Sequence, residues 1–466
     1  MLPSYDLLRQ RLKMTIANKH QQGYDTTGLG AQLAQIPNDY EALNQFSYLL
    51  VDLPFRDTWP YIEPDELEDI WQYCQLPSQE ETDSWLSQVP GDIENRIKVG
   101  FKTSLAGCIL GKPIEINPTL AQIRQAASHC GQWPINDYIS ESLLNQLPYR
   151  HDSWPETARE HIRFVAPDDD INYTLLGMLI LENNGIHFSS NGVREHWLNY
   201  LPVHTTFGPE RTLLAKAALE AVGENYPAAE WITDWSARLN PGDEYCGALI
   251  RADAYGYACP GRPKLAAQLA YKDAHFSHRK TGLYGAMFIA AAIALAPVIN
   301  SPLEIFQQAL RFVPSHSRFY KVVANSLEIV AQGKNWLSVY EQIHEQYQEY
   351  CHCQIYQEIG TLINAMHFAQ DAGEAICIQV SQGNDTDSFG ATCGAIAGMF
   401  FGHLEDRWLT PFNDTLYCSL AGFRERSIEV LAQRMARLPS LVNDELAGQR
   451  VIQAPAKPNI DYEKGI

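Results

Sequence analysis

Gly383–Gly402 reads GNDTDSFGATCGAIAGMFFG, and the fold class turns on it. It follows the apolar run Ile376-Cys377-Ile378-Gln379-Val380 and opens with carboxylates and hydroxyls at Asp385, Thr386, Asp387 and Ser388. From there a glycine recurs at every fourth position: Gly390, Gly394, Gly398 and Gly402. Spacing of four keeps side chains near one face of an α-helix, so this face carries almost no bulk. Each glycine costs a helix roughly 1 kcal/mol against alanine. Four on one face therefore imply a neighbouring backbone packed very close, expected to be another buried helix. The acids sit where a helix N-terminus favours negative charge and a capping side chain. Taken alone, the stretch is also explained by an N-capped buried helix with spare aspartates.

A second acidic stretch changes that balance. Pro167-Asp168-Asp169-Asp170-Ile171-Asn172 places three consecutive carboxylates before the apolar run Tyr173 to Leu181. Proline and aspartate ahead of such a run mark a helix start. A cap needs only one acid, and three adjacent acids repel one another. A hard cation with oxygen ligands offsets that repulsion. Two such helix starts brought together would supply five carboxylates, enough for a pair of divalent ions.

These motifs, with others between and around them, resemble the ADP-ribosylglycohydrolase family. Asp385-Thr386-Asp387-Ser388 with its glycine helix is similar to the family's C-terminal metal motif, and Asp168-Asp169 to its Thr-Asp-Asp-Thr motif. Arg96 to Gly100 and Leu105 to Glu115 resemble its opening helix and metal-side glutamate. Asp243 to Arg251 is similar to the segment that touches ADP-ribose, and Trp408 to Leu416 to a tail motif. The motifs follow the family's order over roughly residues 91 to 417, which is far more specific than any one of them.

The resemblance implies an all-α fold, a multi-helix orthogonal bundle, with an N-terminal helical extension. It implies two Mg²⁺ or Mn²⁺ ions on Asp168, Asp169, Asp385, Asp387 and Ser388. Glu115 and Asp169 would be the catalytic carboxylates, and Asp243, Gly247, Ala248 and His278 would bind substrate. Gly247 would let backbone approach a phosphate, since it has no side chain. The implied activity is hydrolysis of the N- or O-glycosidic bond of an ADP-ribosylated protein side chain or small molecule by metal-activated water. Several positions depart from the family pattern. Cys108 stands where aspartate is common, Cys246 where asparagine is usual, and Ser388 where threonine is usual. Pro167 and Asp170 replace the two threonines that flank Asp168-Asp169.

Other readings share some of these features. All-α terpenoid synthases also hold Mg²⁺ on aspartate-rich helices. The glycine helix directly after Asp-Thr-Asp-Ser and the lack of DDxxD spacing argue against them. A hydrolase of another riboside, or a non-catalytic ADP-ribose-binding protein, would keep the same motifs.

Composition bounds the partners. With 35 Lys and Arg against 55 Asp and Glu, the net charge is −20. Clustered basic residues for nucleic-acid phosphates are not in evidence. Leu283 to Ile299, the longest apolar stretch, contains Pro297 and falls short of the roughly 20 residues that span a bilayer. It reads as a buried alanine-rich helix. The first 20 residues lack the apolar core of a secretion signal. Ten cysteines lie scattered without a disulfide framework, and a cytoplasmic protein is expected. Cys351-His352-Cys353 is their one cluster, without a second pair at zinc spacing. Leu7, Leu8, Leu12 and Leu29, Leu33, Ile36 recur at helical spacing. The expected organisation is an extension over residues 1–90, a catalytic domain over 91–440 and a tail over 441–466, with a last amphipathic helix around 420 to 437.

Overall fold

The computed structural model describes residues 4–220 and 237–449, and among them every regular element is a helix. Extended backbone pairs only at isolated bridges, such as Thr119 with Gly383. The expected tail lies outside the described residues from position 450 onward. The helices that place the site are α1 (Tyr5–Gln21), α2 (Ile93–Gly111), α3 (Asp169–Asn184), α4 (Thr281–Leu295), α5 (Ala372–Ser381), α6 (Thr386–Phe401) and α7 (Ile428–Leu446).

The close neighbour of the glycine face is α2, and this pair makes the most extensive helix contact among the described residues. Both helices contribute glycines. A Cβ on Gly107 would lie 2.0 Å from the Gly390 carbonyl oxygen, and one on Gly394 would lie 2.3 Å from that of Thr103. A Cβ on Gly398 would meet Gly100 Cα at 2.6 Å. Gly402 plays a different part. At φ 70° it is the left-handed residue that ends α6, its amide donating to the Gly398 carbonyl. The run Ala372–Ser381 ahead of the motif, α5, packs on α6.

The alanine-rich helix α4 is buried along its whole length, as its composition predicts. The last helix begins later than its pattern suggests. Ser427 caps it, accepting from the Val430 amide at 3.2 Å, and it runs on through Pro439 to Leu446. Around 420 the chain holds turns instead. No helix among the described residues is long and apolar enough to cross a membrane.

Residues of α1 and the short helices Leu29–Gln35 and Tyr40–Leu49 form a small core of their own from Leu12, Leu29, Leu33, Leu43, Phe46 and Leu50. From Ile70 onward, nearly all buried apolar residues belong to the main core. α3 is pinned inside that core by a buried acid. Thr174 Oγ1 donates to Asp253 Oδ2 at 2.7 Å, and the Ala254 amide donates to Asp253 Oδ1 at 2.8 Å.

Two expectations follow. Gly107→Ala gains helix propensity yet drives a methyl into the Gly390 carbonyl, so it should lower stability by about 1–3 kcal/mol in urea unfolding. Gly30→Ala, with nothing within 4 Å of its Cβ, should be neutral or slightly stabilising. Burial pushes the Asp253 carboxyl up to about 7. A raised carboxyl contributes stability below its unfolded value near 4, and that contribution is lost as pH rises through about 7. Asp253→Asn should flatten this slope, so the variant gains on the parent between pH 5 and pH 8 in thermal melts.

Candidate active site

Three helix ends converge. α2 finishes with Gly111 pressed onto α6, where a Cβ would sit 2.1 Å from the Thr386 carbonyl oxygen. Thr386 Oγ1 fixes the contact by donating to the Gly111 carbonyl at 2.9 Å. The chain continues in the single turn Lys112–Ile114, which delivers Lys112 and then Glu115. α3 opens at Asp168, whose backbone is extended and whose Oδ1 accepts from the Asp170 amide at 2.8 Å. α6 opens at Asp385. Both acidic motifs are therefore helix N-termini, where the helix dipole favours anions.

Lys112, which the sequence motifs did not single out, lies in their midst. Its ammonium is 2.6 Å from Asp168 Oδ2, 3.1 Å from Asp387 Oδ2 and 2.5 Å from Glu115 Oε2. Burial works against the charge on Lys112, but Asp168, Asp387 and Glu115 outweigh it and raise the group well above its ordinary value. Burial would likewise raise Asp168, and Lys112 with the surrounding hydrogen bonds holds it below the usual carboxylate range. At other acids of the cluster burial and neighbouring carboxylates prevail. Burial, then Asp168, pushes both Asp169 and Asp170 far up. Burial and Asp387 do the same to Asp385, and they bring Glu115 to about 10.

A cavity of about 200 Å³ opens onto this cluster. Its walls include Glu115, Asp169, Asp385, Ser388 and Gly247. Asp168 and Asp387 stand behind that wall, almost fully buried and bound to Lys112. Asp243, Ala248 and His278 are not in the lining formed by described residues. Asp243 faces α1, accepting from Asn18 Nδ2 at 2.9 Å and Gln22 Nε2 at 2.7 Å. His278 lies beneath the cavity, its Nδ1 2.7 Å from Ser277 Oγ and its Nε2 3.8 Å from Glu210 Oε1.

The cavity also has walls that the motifs did not announce: Tyr173, Phe207, Glu210, His352 and Cys353. Glu210 belongs to a buried network around Arg251, which donates to Glu210 Oε1 at 2.5 Å, the Gly247 carbonyl at 2.9 Å and Asp273 Oδ2 at 3.2 Å. A Cβ on Gly247 would lie 2.3 Å from Glu210 Oε1, so this wall is bare backbone by necessity. Cys353 and Cys246 share the same wall. Only the third residue of a matching Cys-x-Cys stretch hinted at Cys353, and nothing local marked Glu210.

The donor set fits a hard divalent cation. Both Asp170 carboxylate oxygens and Asp387 Oδ1 are buried without a hydrogen-bond donor. The nearest oxygens of Glu115, Asp168 and Asp387 lie within 4.8 Å of one another, as do ligand atoms of Cys108, Asp168 and Asp170. Buried, unpaired carboxylates are costly unless protonated or neutralised by a cation.

Comparison with known proteins gives the family and the fold. A family model described as ADP-ribosylglycohydrolase matches residues 90–444. A solved structure described as an ADP-ribosylglycohydrolase-related protein complex is similar with a TM-score of 0.50 and 16% sequence identity, covering 76% of this chain and 100% of that chain. At that identity the likeness carries the fold alone. Comparison with curated proteins gives no match.

Arg251→Met should leave Glu210 and Asp273 buried without their cation. Breaking a buried charge network in this way costs about 3–5 kcal/mol, to be read as a lower urea midpoint than that of the parent.

Proposed function

The chain belongs to the ADP-ribosylglycohydrolase family, a family of glycosyl hydrolases, and on that footing we propose that it is a divalent-metal-dependent hydrolase cleaving the N- or O-glycosidic bond between ADP-ribose and a protein or small-molecule acceptor. The observation that carries the reading is the single cavity that Glu115, Asp169, Asp385 and Ser388 share with the backbone at Gly247. Asp169, Asp385 and Ser388 would hold Mg²⁺ or Mn²⁺ at the cavity wall, with Asp168 and Asp387 behind them. When bound, such an ion polarises hydroxyls and lowers the pKa of a coordinated water.

The chain's own groups supply the rest. Glu115 is half-buried at the cavity edge. Burial and Asp387 raise its carboxyl to about 10, and it is the group placed to move a proton at the scissile bond. Asp169 orients the attacking water from the other side of the wall. Gly247 leaves room for a phosphate or ribose oxygen against bare backbone, with Glu210 directly behind it. Asp243, Ala248 and His278 act as positioning residues for that backbone, because their side chains do not reach the cavity. The volume of about 200 Å³ is below the roughly 300–1,000 Å³ of sites that enclose a drug-sized ligand. It suits the ribosyl end of a conjugate, with the remainder lying outside.

The test is release of ADP-ribose from ADP-ribosyl-arginine and ADP-ribosyl-serine peptides with Mg²⁺, with Mn²⁺ and with chelator. Release should need metal and should fall about 100-fold or more in Asp169→Asn and Asp385→Asn. Changing even the outer partners of a metal typically costs roughly 10–100-fold. Tight ADP-ribose binding with no release from either peptide would sink the proposal for these acceptors and favour a binding role or another riboside.

A further inference from the structure

We propose that Lys112 is a built-in cation that takes one of the two ion positions, so that this chain binds a single divalent ion. The inference rests on the metal-dependent reading above and concerns how many ions the site accepts.

The carboxylates that Lys112 touches are Glu115, Asp168 and Asp387. They are the same three whose oxygens lie within 4.8 Å of one another, the spacing for one shared cation. A lysine ammonium is a compact point charge with three hydrogens to donate, and here it has three carboxylate oxygens within 3.1 Å. An ion bound by the same oxygens would need distances of about 2.0–2.1 Å for magnesium or about 2.3–2.6 Å for calcium-sized ions. It would therefore occupy nearly the same point as Nζ, and the two cannot be there together.

The backbone favours the lysine. Gly111, the residue before it, is held against the Thr386 carbonyl with no room for a Cβ and is tied by the Thr386 hydroxyl. The next residue, Pro113, and Lys112 itself are buried. Lys112 is only 7% exposed. For the ammonium to leave, a buried stem would have to unpack from a turn that is anchored on both sides.

The remaining acids still call for one cation. Asp170 has two buried oxygens and Asp387 one that accept from no donor. Asp169, Asp385 and Ser388 face the cavity. The exchangeable ion thus belongs at the cavity wall, and the ammonium supplies the charge behind it. Lys112 is on this account a positioning residue. It holds Glu115 toward the cavity and pairs with Asp168 and Asp387 behind it, and it cannot activate water as a second metal would.

Counting ions tests this directly. The full-length protein, freed of metal, is titrated with Mn²⁺ by calorimetry and by equilibrium dialysis, and the loaded form is examined by electron paramagnetic resonance. The expected result is one Mn²⁺ per chain with the spectrum of an isolated ion. Lys112→Met removes the charge but keeps most of the stem, and it should bind two Mn²⁺ and show the coupled spectrum of a neighbouring pair. Lys112→Arg keeps the charge and should stay at one. Two ions in the unaltered protein would overturn the proposal, and that measurement needs no variant to fold. A single ion in a folded Lys112→Met protein would also overturn it. If the unaltered protein binds no Mn²⁺ at all, the metal-dependent reading falls, and this one with it.

Discussion

The approach of two helix backbones, α2 and α6, sets the reach of every charged group at the site. Glycine faces glycine along this contact, at Gly107 with Gly390 and at Gly100 with Gly398. Side chains on either helix would hold the axes at the usual 8–10 Å of helix pairs or beyond. Here the carbonyls of one helix nearly touch the Cα atoms of the other. The consequence appears at the end of α2, where Gly111 rests on Thr386. Only from there can Lys112 and Glu115, one turn later, meet Asp387 on the opposite helix. Interior glycine weakens a helix, so the arrangement makes sense as a trade of local propensity for closeness.

That closeness concentrates charge. Six carboxylates, at Glu115, Asp168, Asp169, Asp170, Asp385 and Asp387, gather at two helix N-termini and one turn. Helix dipoles offset part of the repulsion, at roughly 0.3–1 kcal/mol each in ordinary settings, and Lys112 offsets more. What is left is written in the acids themselves. Asp168 is held ionised by Lys112, whereas Asp169, Asp170 and Asp385 are driven toward their protonated forms by burial and by one another. A site so prepared exchanges protons for a cation, and its affinity for metal depends on pH for that reason.

The sequence pattern made much of this legible, for physical reasons that differ by residue. Glycine at every fourth position has few explanations other than backbone contact, so a partner helix was foreseeable, and small residues at Gly100 and Gly107 pointed to it. Adjacent acids before an apolar run are equally hard to explain without a helix start. Lys112 was opaque, because a lysine after a helix is normally solvated and only the tertiary turn folds it inward. Asp243 and His278 were read from their places in local segments, and the direction of their side chains is decided by α1 and by Glu210, far away in the chain. Cys108 and Asp170 show what only three dimensions reveal. The family pattern has aspartate at the first position and threonine at the second. In space these two residues are neighbours with ligand atoms within 4.8 Å of each other and of Asp168, a proximity that no local pattern announces.

The N-terminal segment can be understood on the same terms. It was expected to pack as an extension without chemistry, and its polar contacts fall on residues that frame the cavity from behind. Asn18 and Gln22 hold Asp243, four residues before Gly247. Asp65 accepts from the Lys280 amide at 2.8 Å, and the Glu63 carbonyl accepts from Lys280 Nζ at 3.0 Å. Lys280 sits at φ 47°, a conformation that side chains rarely adopt, just where α4 begins. Such strain costs on the order of 1–3 kcal/mol and persists only where surrounding contacts enforce it. The contacts that enforce it here come from residues 63 and 65. Glu63 also grips Arg318, whose other carboxylate partner is Glu244, next to Asp243. The extension therefore closes a ring of buried charges around the segment that carries Gly247. The bare backbone wall of the cavity is thereby held on two sides, with Arg251 beneath it and α1 behind it.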